Sequence, residues 1–155
     1  MKSPDLVSGL PFLDTHELLV AAPVPTTWDS LNKWVARTHL GISSGFAHLV
    51  GTDPRAVTGT LPEEGSTFPG FAVAESVPCD RLTLMGRHRF AQYALVFVLS
   101  EHAEGTIIGA RSHGLFPGFT GAAYRTLVIG SGGHRILVGR MLREIARNAE
   151  RRHRG

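Results

Sequence analysis

The spacing of apolar and polar positions divides this chain into three regions with different periods. Asp14 to Ala22 (DTHELLVAA) reads as a first strand, ended by Pro23 and Pro25. Thr26 or Thr27 can then N-cap a helix with Asp29 in its first turn, and Trp28, Leu31, Trp34 and Val35 supply one apolar face, which predicts a helix ending near His39 to Gly41. Ile42 to Val50 carries a looser helical spacing and predicts a short second helix. Gly51 to Gly70, rich in Thr, Pro, Gly and Glu, predicts a loop or a weak edge strand. Four strands come next, over Phe71 to Val77, Arg81 to Phe90, Tyr93 to His102 and Thr106 to Phe116. The breaks between them fall at Pro78-Cys79-Asp80, Ala91-Gln92 and Ala103-Glu104-Gly105. Such short connections imply an antiparallel meander, which Pro117-Gly118 ends.

The last region contains a glycine cluster, Gly130-Ser131-Gly132-Gly133, after the apolar run Leu127-Val128-Ile129. As a strand and phosphate loop it would bind a dinucleotide, but that needs a second strand after the helix and an acidic residue about 20 positions on. The glycines lead instead into a helical arginine pattern, with Glu150 inside it. Phe119, Ala123, Leu127, Gly130, His134, Leu137, Met141 and Ile145 recur at spacings of three and four straight through the glycines. One long, glycine-pivoted helix is the expectation. Three interior glycines cost about 3 kcal/mol relative to alanine, so something is expected to press closely on that face.

With 155 residues, 43% hydrophobic and 19% charged, the chain fits one globular domain. The longest apolar stretch, Tyr93 to Leu99, is far short of a membrane span, and Met1 to Val20 lacks a compact apolar core, so no secretory signal is read and the cytoplasm is the expected compartment. Cys79 is the only cysteine, which excludes an internal disulfide and a zinc finger and fits a turn. The net charge of +3 gathers at Arg140, Arg143, Arg147, Arg151, Arg152 and Arg154. These arginines complement a helix C-terminus and describe a solvated face. No aromatic interleaves with them, so nucleic acid is not an expected partner.

A strand, a helix, a run of antiparallel strands and a long terminal helix imply an α+β protein: a curved antiparallel sheet wrapped around that helix, with one or two short helices after the first strand. The element order and particular residues resemble the helix-grip fold of the polyketide cyclase/dehydrase and lipid transport superfamily, the START-like or SRPBCC type, in a bacterial branch. The residues are Ala22-Pro23-Val24-Pro25-Thr26-Thr27-Trp28, Gly86-Arg87-His88-Arg89-Phe90 with Tyr93, Phe116-Pro117-Gly118, Tyr124-Arg125, and Leu127 to Gly130 with Gly133-His134. The resemblance runs from about Asp14 to Arg152 and implies one START-like domain over residues 1–155. It implies a hydrophobic ligand, such as a lipid, polyketide or terpenoid, held in a cavity under the terminal helix. It further implies an enzymatic option, a cofactor-free cyclisation or dehydration; a carrier, a sensor or an interaction module with a plugged cavity are the alternatives. No cofactor or metal is expected, and a homodimer stays open.

Strand alternation supplies the candidate residues. His88 points with Leu82, Leu84, Gly86 and Phe90, where an imidazole can move protons near neutral pH or simply bind backbone. Tyr93 and Phe97 share a face, as do Ile107, Arg111, His113 and Leu115. Arg111 and His113 could polarise a carbonyl, or that face could be the convex, solvated one. Tyr93 and Tyr124 offer phenols to an oxygenated ligand, and Glu75 is the candidate acid. His134 either reaches into the cavity beside Leu127 and Gly130 or caps a carbonyl at a glycine kink. His88, His113 and His134 are thus the candidate proton-transfer groups. Gly41-Ile42-Ser43-Ser44-Gly45 matches a nucleophile elbow by letter, but a predicted helix precedes it where a buried strand is needed.

Overall fold

The computed structural model describes residues 7–38, 51–54 and 56–155. The predicted helix over Ile42 to Val50 and the Gly41 to Gly45 motif lie outside the described residues. Strands β1 (Phe12–Val20), β2 (Thr67–Phe68), β3 (Phe71–Val77), β4 (Arg81–His88), β5 (Ala91–His102) and β6 (Gly105–Leu115) form one antiparallel sheet in the order β1-β6-β5-β4-β3-β2. The meander predicted from the short connections is present, with boundaries within two residues of those expected. The described residues of the Gly51 to Gly70 region contribute the two-residue edge strand β2 and isolated bridges from Asp53 to Arg87 and Thr58 to Thr67.

Helix α1 (Val24–Thr38) begins earlier than expected. Thr27 lies inside the first turn, and its hydroxyl donates to the Pro23 carbonyl at 3.1 Å instead of capping backbone N–H groups. Asp29 lies beyond the first turn and pairs with Lys33 (2.9 Å) and with Arg152 of the terminal helix (2.7 Å).

The expected uninterrupted terminal helix is corrected by the structure. It is two helices, α2 (Gly118–Arg125) and α3 (Gly133–Arg154), joined by a π-helical turn over Thr126–Gly130. Gly132, the N-cap of α3, adopts φ +79°, a left-handed conformation that no right-handed helix can pass through and that glycine takes readily because it has no Cβ. The close partner expected for the glycine face is not there. A Cβ on Gly130 would meet only the Thr126 methyl at 3.8 Å, and one on Gly132 would meet nothing within 4 Å.

Burial shows which sheet face the helices cover. Leu82, Leu84, Leu95, Phe97, Leu99, Ile108, Ala110 and Val20 join Leu31, Trp34 and Val35 of α1 and Val138, Met141, Leu142, Ile145, Ala146 and Ala149 of α3 in one buried cluster. Polar ties hold this half together. The Trp34 indole N–H donates to Glu144 (3.2 Å), and the backbone N–H of Ala21 donates to Glu150 (3.0 Å). Glu150, the residue at dinucleotide spacing, therefore fastens α3 to the end of β1. Arg140, Arg143, Arg147, Arg151, Arg152 and Arg154 are exposed, as the solvated-face reading expects. Cys79 is exposed in the β3–β4 turn at φ +61°.

Candidate functional site

Register assigns each candidate to a sheet face. Leu82 pairs with Phe97, Leu84 with Leu95, Gly86 with Tyr93 and His88 with Ala91, so His88 and Tyr93 share the helix-covered face. Across β5 and β6, Tyr93 faces Gly114 and Leu95 faces Ser112, while Ser112 faces Asp14 of β1. Two adjacent cross-strand rows of this face therefore carry different chemistry. One is aromatic and the other is polar.

The aromatic wall is built around His88. Its ring lies 4.8 Å from that of Tyr124, 5.5 Å from Tyr93 and 6.0 Å from Phe90. Tyr124 stacks on Phe90 (5.8 Å) and Phe116 (6.3 Å), and Phe71 closes on Tyr93 (5.1 Å). Two glycines make the packing possible. A Cβ on Gly86 would sit 1.9 Å from the Gly70 carbonyl oxygen and 2.9 Å from the Tyr93 ring, so its absence lets the Tyr93 hydroxyl donate to that carbonyl at 2.7 Å. A Cβ on Gly121 would sit 2.6 Å from the Phe116 carbonyl carbon and 3.1 Å from the Phe90 oxygen. At that bare position α2 rests on the sheet end and brings Tyr124 to His88.

The His88 Nδ1 accepts the Phe90 backbone N–H at 3.1 Å, so the neutral ring carries its proton on Nε2 and presents a donor. Burial lowers the imidazole below its ordinary value and favours that neutral form. Burial also raises both phenols, and the neighbouring Tyr124 adds to the rise at Tyr93. The wall is thus uncharged at neutral pH. Among the described residues the Tyr124 hydroxyl has no hydrogen-bond partner, and a ligand oxygen can use it.

The polar row centres on His134, in the first turn of α3. Its Nε2 lies 2.9 Å from the Ser112 hydroxyl and 3.5 Å from Asp14 Oδ1, while Asp14 Oδ2 meets His16 Nε2 at 3.3 Å. Asp14 thus sits between two imidazoles. Both of its neighbours on His134 use the same ring nitrogen, which separates this cluster from a nucleophilic serine triad, where the carboxylate and the serine take opposite nitrogens. The other nitrogen, Nδ1, has no hydrogen-bond partner among the described residues and is not one of their fully buried unpaired atoms; it is the acceptor in the tautomer that carries the proton on Nε2. The alternative of a carbonyl cap at the kink is not what the histidine does, since its partner is the Ser112 side chain.

Other candidates stand elsewhere. Arg111 and His113 occupy the outer face, Arg111 exposed and His113 edge-on to Phe12 at 5.7 Å. Of the two faces left open by alternation, the structure selects the one away from the helices. Glu75 also turns outward, because a register shift between Val73 and Glu75 moves it opposite Thr83. There, buried on the face away from the helices, it takes a bidentate pair with Arg81 (3.1 Å each) and accepts from the Thr83 hydroxyl at 3.4 Å. Phe97 is fully buried under Trp34 and lines no open space. Leu127 and Gly130 are exposed on the outside of the π turn. An open cleft of about 600 Å³ bordered by Asp53, Met85, Arg87, Gln92 and Tyr93 has its charge already neutralised by the Arg87–Asp53 pair at 3.0 Å.

Asp14, His16 and Ser112 were not singled out by the sequence. The signal was alternation: Val20, Leu18, His16 and Asp14 share parity, as do Ile108, Ala110 and Ser112. Among the described residues no group of three or more His, Cys, Asp or Glu is arranged to hold a metal ion, and no helix is long and apolar enough to cross a membrane.

No protein-family model matches the chain, and no curated protein sequence matches it. Solved structures do. A protein from Chromobacterium violaceum shares 12% identity over 90% of this chain and 99% of its own, with a TM-score of 0.59. The di-domain ARO/CYC StfQ from the steffimycin biosynthetic pathway shares 16% identity over 90% of this chain and 50% of its own, at a TM-score of 0.51. DynU16, from the dynemicin biosynthetic locus, shares 16% over 83% of this chain and 45% of its own, at 0.52. At such identities the likeness is one of fold, a helix-grip-like antiparallel sheet with a long C-terminal helix packed on it, as the sequence resemblance leads one to expect.

Proposed function

We propose that the protein binds a hydrophobic, oxygen-bearing small molecule of polyketide, lipid or terpenoid type against the aromatic wall, and catalyses its cofactor-free dehydration or cyclisation at His134. The observation that carries this reading is an uncharged wall of stacked rings sharing a sheet face with the imidazole of His134, whose Ser112 row lies one row beyond Tyr93 and two beyond His88, about 7 and 14 Å further along the strands. The biosynthetic setting of StfQ and DynU16 agrees with such a substrate.

The roles divide by chemistry. Rings of the ligand stack on Tyr124 and Phe90, and the Tyr124 hydroxyl and the His88 Nε2–H donate to its oxygens. Ser112 holds the Nε2 side of His134, with the Asp14 carboxylate 3.5 Å away to favour the imidazolium, leaving Nδ1 as the base. In a dehydration, Nδ1 takes the proton from the carbon next to a carbonyl. The C–H electrons form the double bond, the C–O bond breaks, and the departing hydroxyl takes the proton back and leaves as water. His134 ends in its starting state.

Native mass spectrometry of protein isolated from its own host tests the reading. A co-purifying hydrophobic species is expected, absent from Tyr124→Ala and present one water heavier in His134→Gln. Empty wild-type protein rejects the proposal. An identical species in wild type and His134→Gln leaves a carrier, the reading favoured by the engagement of the Tyr93 hydroxyl and the His88 Nδ1 with backbone.

A further inference from the structure

The segment after β6 combines two properties that the ligand site does not use. Phe119 is 96% exposed and Leu127 72%, and Ile136 and Leu137 are also largely exposed. The π turn bearing Leu127 joins α2 to α3, so these side chains all fall within one continuous stretch of chain, residues 119 to 137. Four large exposed apolar side chains within so short a stretch are the composition of an interaction surface, whereas isolated ones are ordinary. The second property is charge. From residue 105 to 143 the chain contains no Asp or Glu, and it carries Arg111, Arg125, Arg135, Arg140 and Arg143. Arg125, Arg135, Arg140 and Arg143 are exposed, as is Arg89 in the β4–β5 turn. Among the described residues none of these five exposed arginines takes part in an ion pair.

We infer that the α2–π–α3 unit docks on an anionic lipid surface, with Phe119, Leu127, Ile136 and Leu137 entering the headgroup boundary and Arg89, Arg125, Arg135 and Arg140 meeting lipid phosphates. Bulky apolar groups beside unpaired arginines, without an intervening carboxylate, are the composition that interfacial elements require. An acidic protein would satisfy the arginines, but it would not by itself call for four protruding apolar side chains. The unit also carries Tyr124, so docking would present the aromatic wall to the membrane. The docking inference does not depend on the proposed reaction.

Flotation of the full chain with phosphatidylcholine vesicles containing about 30% phosphatidylserine tests it. Binding is expected to exceed that to pure phosphatidylcholine by at least about 10-fold and to fall as salt rises. Phe119→Asp with Leu127→Asp is expected to abolish it, and Arg125→Gln with Arg135→Gln to weaken it about 10-fold. Val57→Asp, at an exposed apolar residue elsewhere, serves as control and is expected to change nothing. Thermal melts confirm that each variant folds. Absent binding, equal binding to the two vesicle types, or equal loss in the Val57 control overturns the inference. So does concentration-dependent self-association that the Phe119 and Leu127 variant removes, which would assign the surface to a second copy.

Discussion

The interface between helices and sheet has two halves that solve opposite problems. Beneath α1 and the later turns of α3, Phe97, Leu82, Leu84, Ile108, Leu31 and Ile145 are fully buried and close-packed, and Trp34–Glu144 and Ala21–Glu150 lock the helices in place. Beneath α2 and the π turn, no residue of the turn is buried, and α2 buries only Gly121. A domain of this size can thereby grip one helix firmly and leave another lightly packed. The packed half supplies the stability, and the other half carries stacked rings and polar groups with little apolar burial.

The largest effect is expected where the two halves differ most in packing. Phe97→Ala should cost about 3–5 kcal/mol in chemical denaturation, whereas Leu127→Ala should stay within about 0.5 kcal/mol. Equal losses would mean that the π turn is packed as tightly as the core. Next comes the junction between the halves. Gly121→Ala places a methyl against the backbone of Phe116 and Phe90, and should cost about 1–3 kcal/mol while weakening the near-ultraviolet dichroism of Tyr124. An unchanged tyrosine signal would show that α2 does not rest on that glycine.

The glycine cluster yields a smaller and more diagnostic contrast. Gly132→Ala, at φ +79°, should destabilise by about 1 kcal/mol, while Gly130→Ala, which meets open space, should be neutral or stabilise by up to about 1 kcal/mol in the same denaturation experiment. A loss at Gly130 would restore the closely pressed face that its spacing suggests.

The smallest expected effect is in the pH dependence. Burial holds the His88 imidazole below 6.5, so the folded protein binds fewer protons there than the unfolded chain. Its contribution is complete above the unfolded value and is lost as pH falls from about 6.5 through the lower folded value. Stability measured across that window should therefore slope less in His88→Gln. At the alkaline end both wall phenols have raised values, so their contribution is complete below about 10 and is lost as pH rises from there through the folded values. Absorbance titration should show both ionising later than free tyrosine.

Much of this was legible in the chain itself. Period-two alternation between turn residues identified the four long strands and their antiparallel order, because a strand's two faces meet different solvents and short links permit no crossover. It also turned His88 inward with Leu82 and Leu84, and the helical spacing of Trp28, Leu31, Trp34 and Val35 marked the buried side of α1. Those are local consequences of backbone geometry. Three features belong to the tertiary structure alone. Which face the helices cover decided that Arg111 and His113 stand outside, since alternation sorts residues into two sets without naming the inner one. The register shift at Ala74 reversed Glu75, because pairing with β4 belongs to two strands at once. The joining of Asp14, Ser112 and His134 brings residues up to 120 positions apart into one row, and only the pairing of β1 with β6 beneath α3 makes them neighbours.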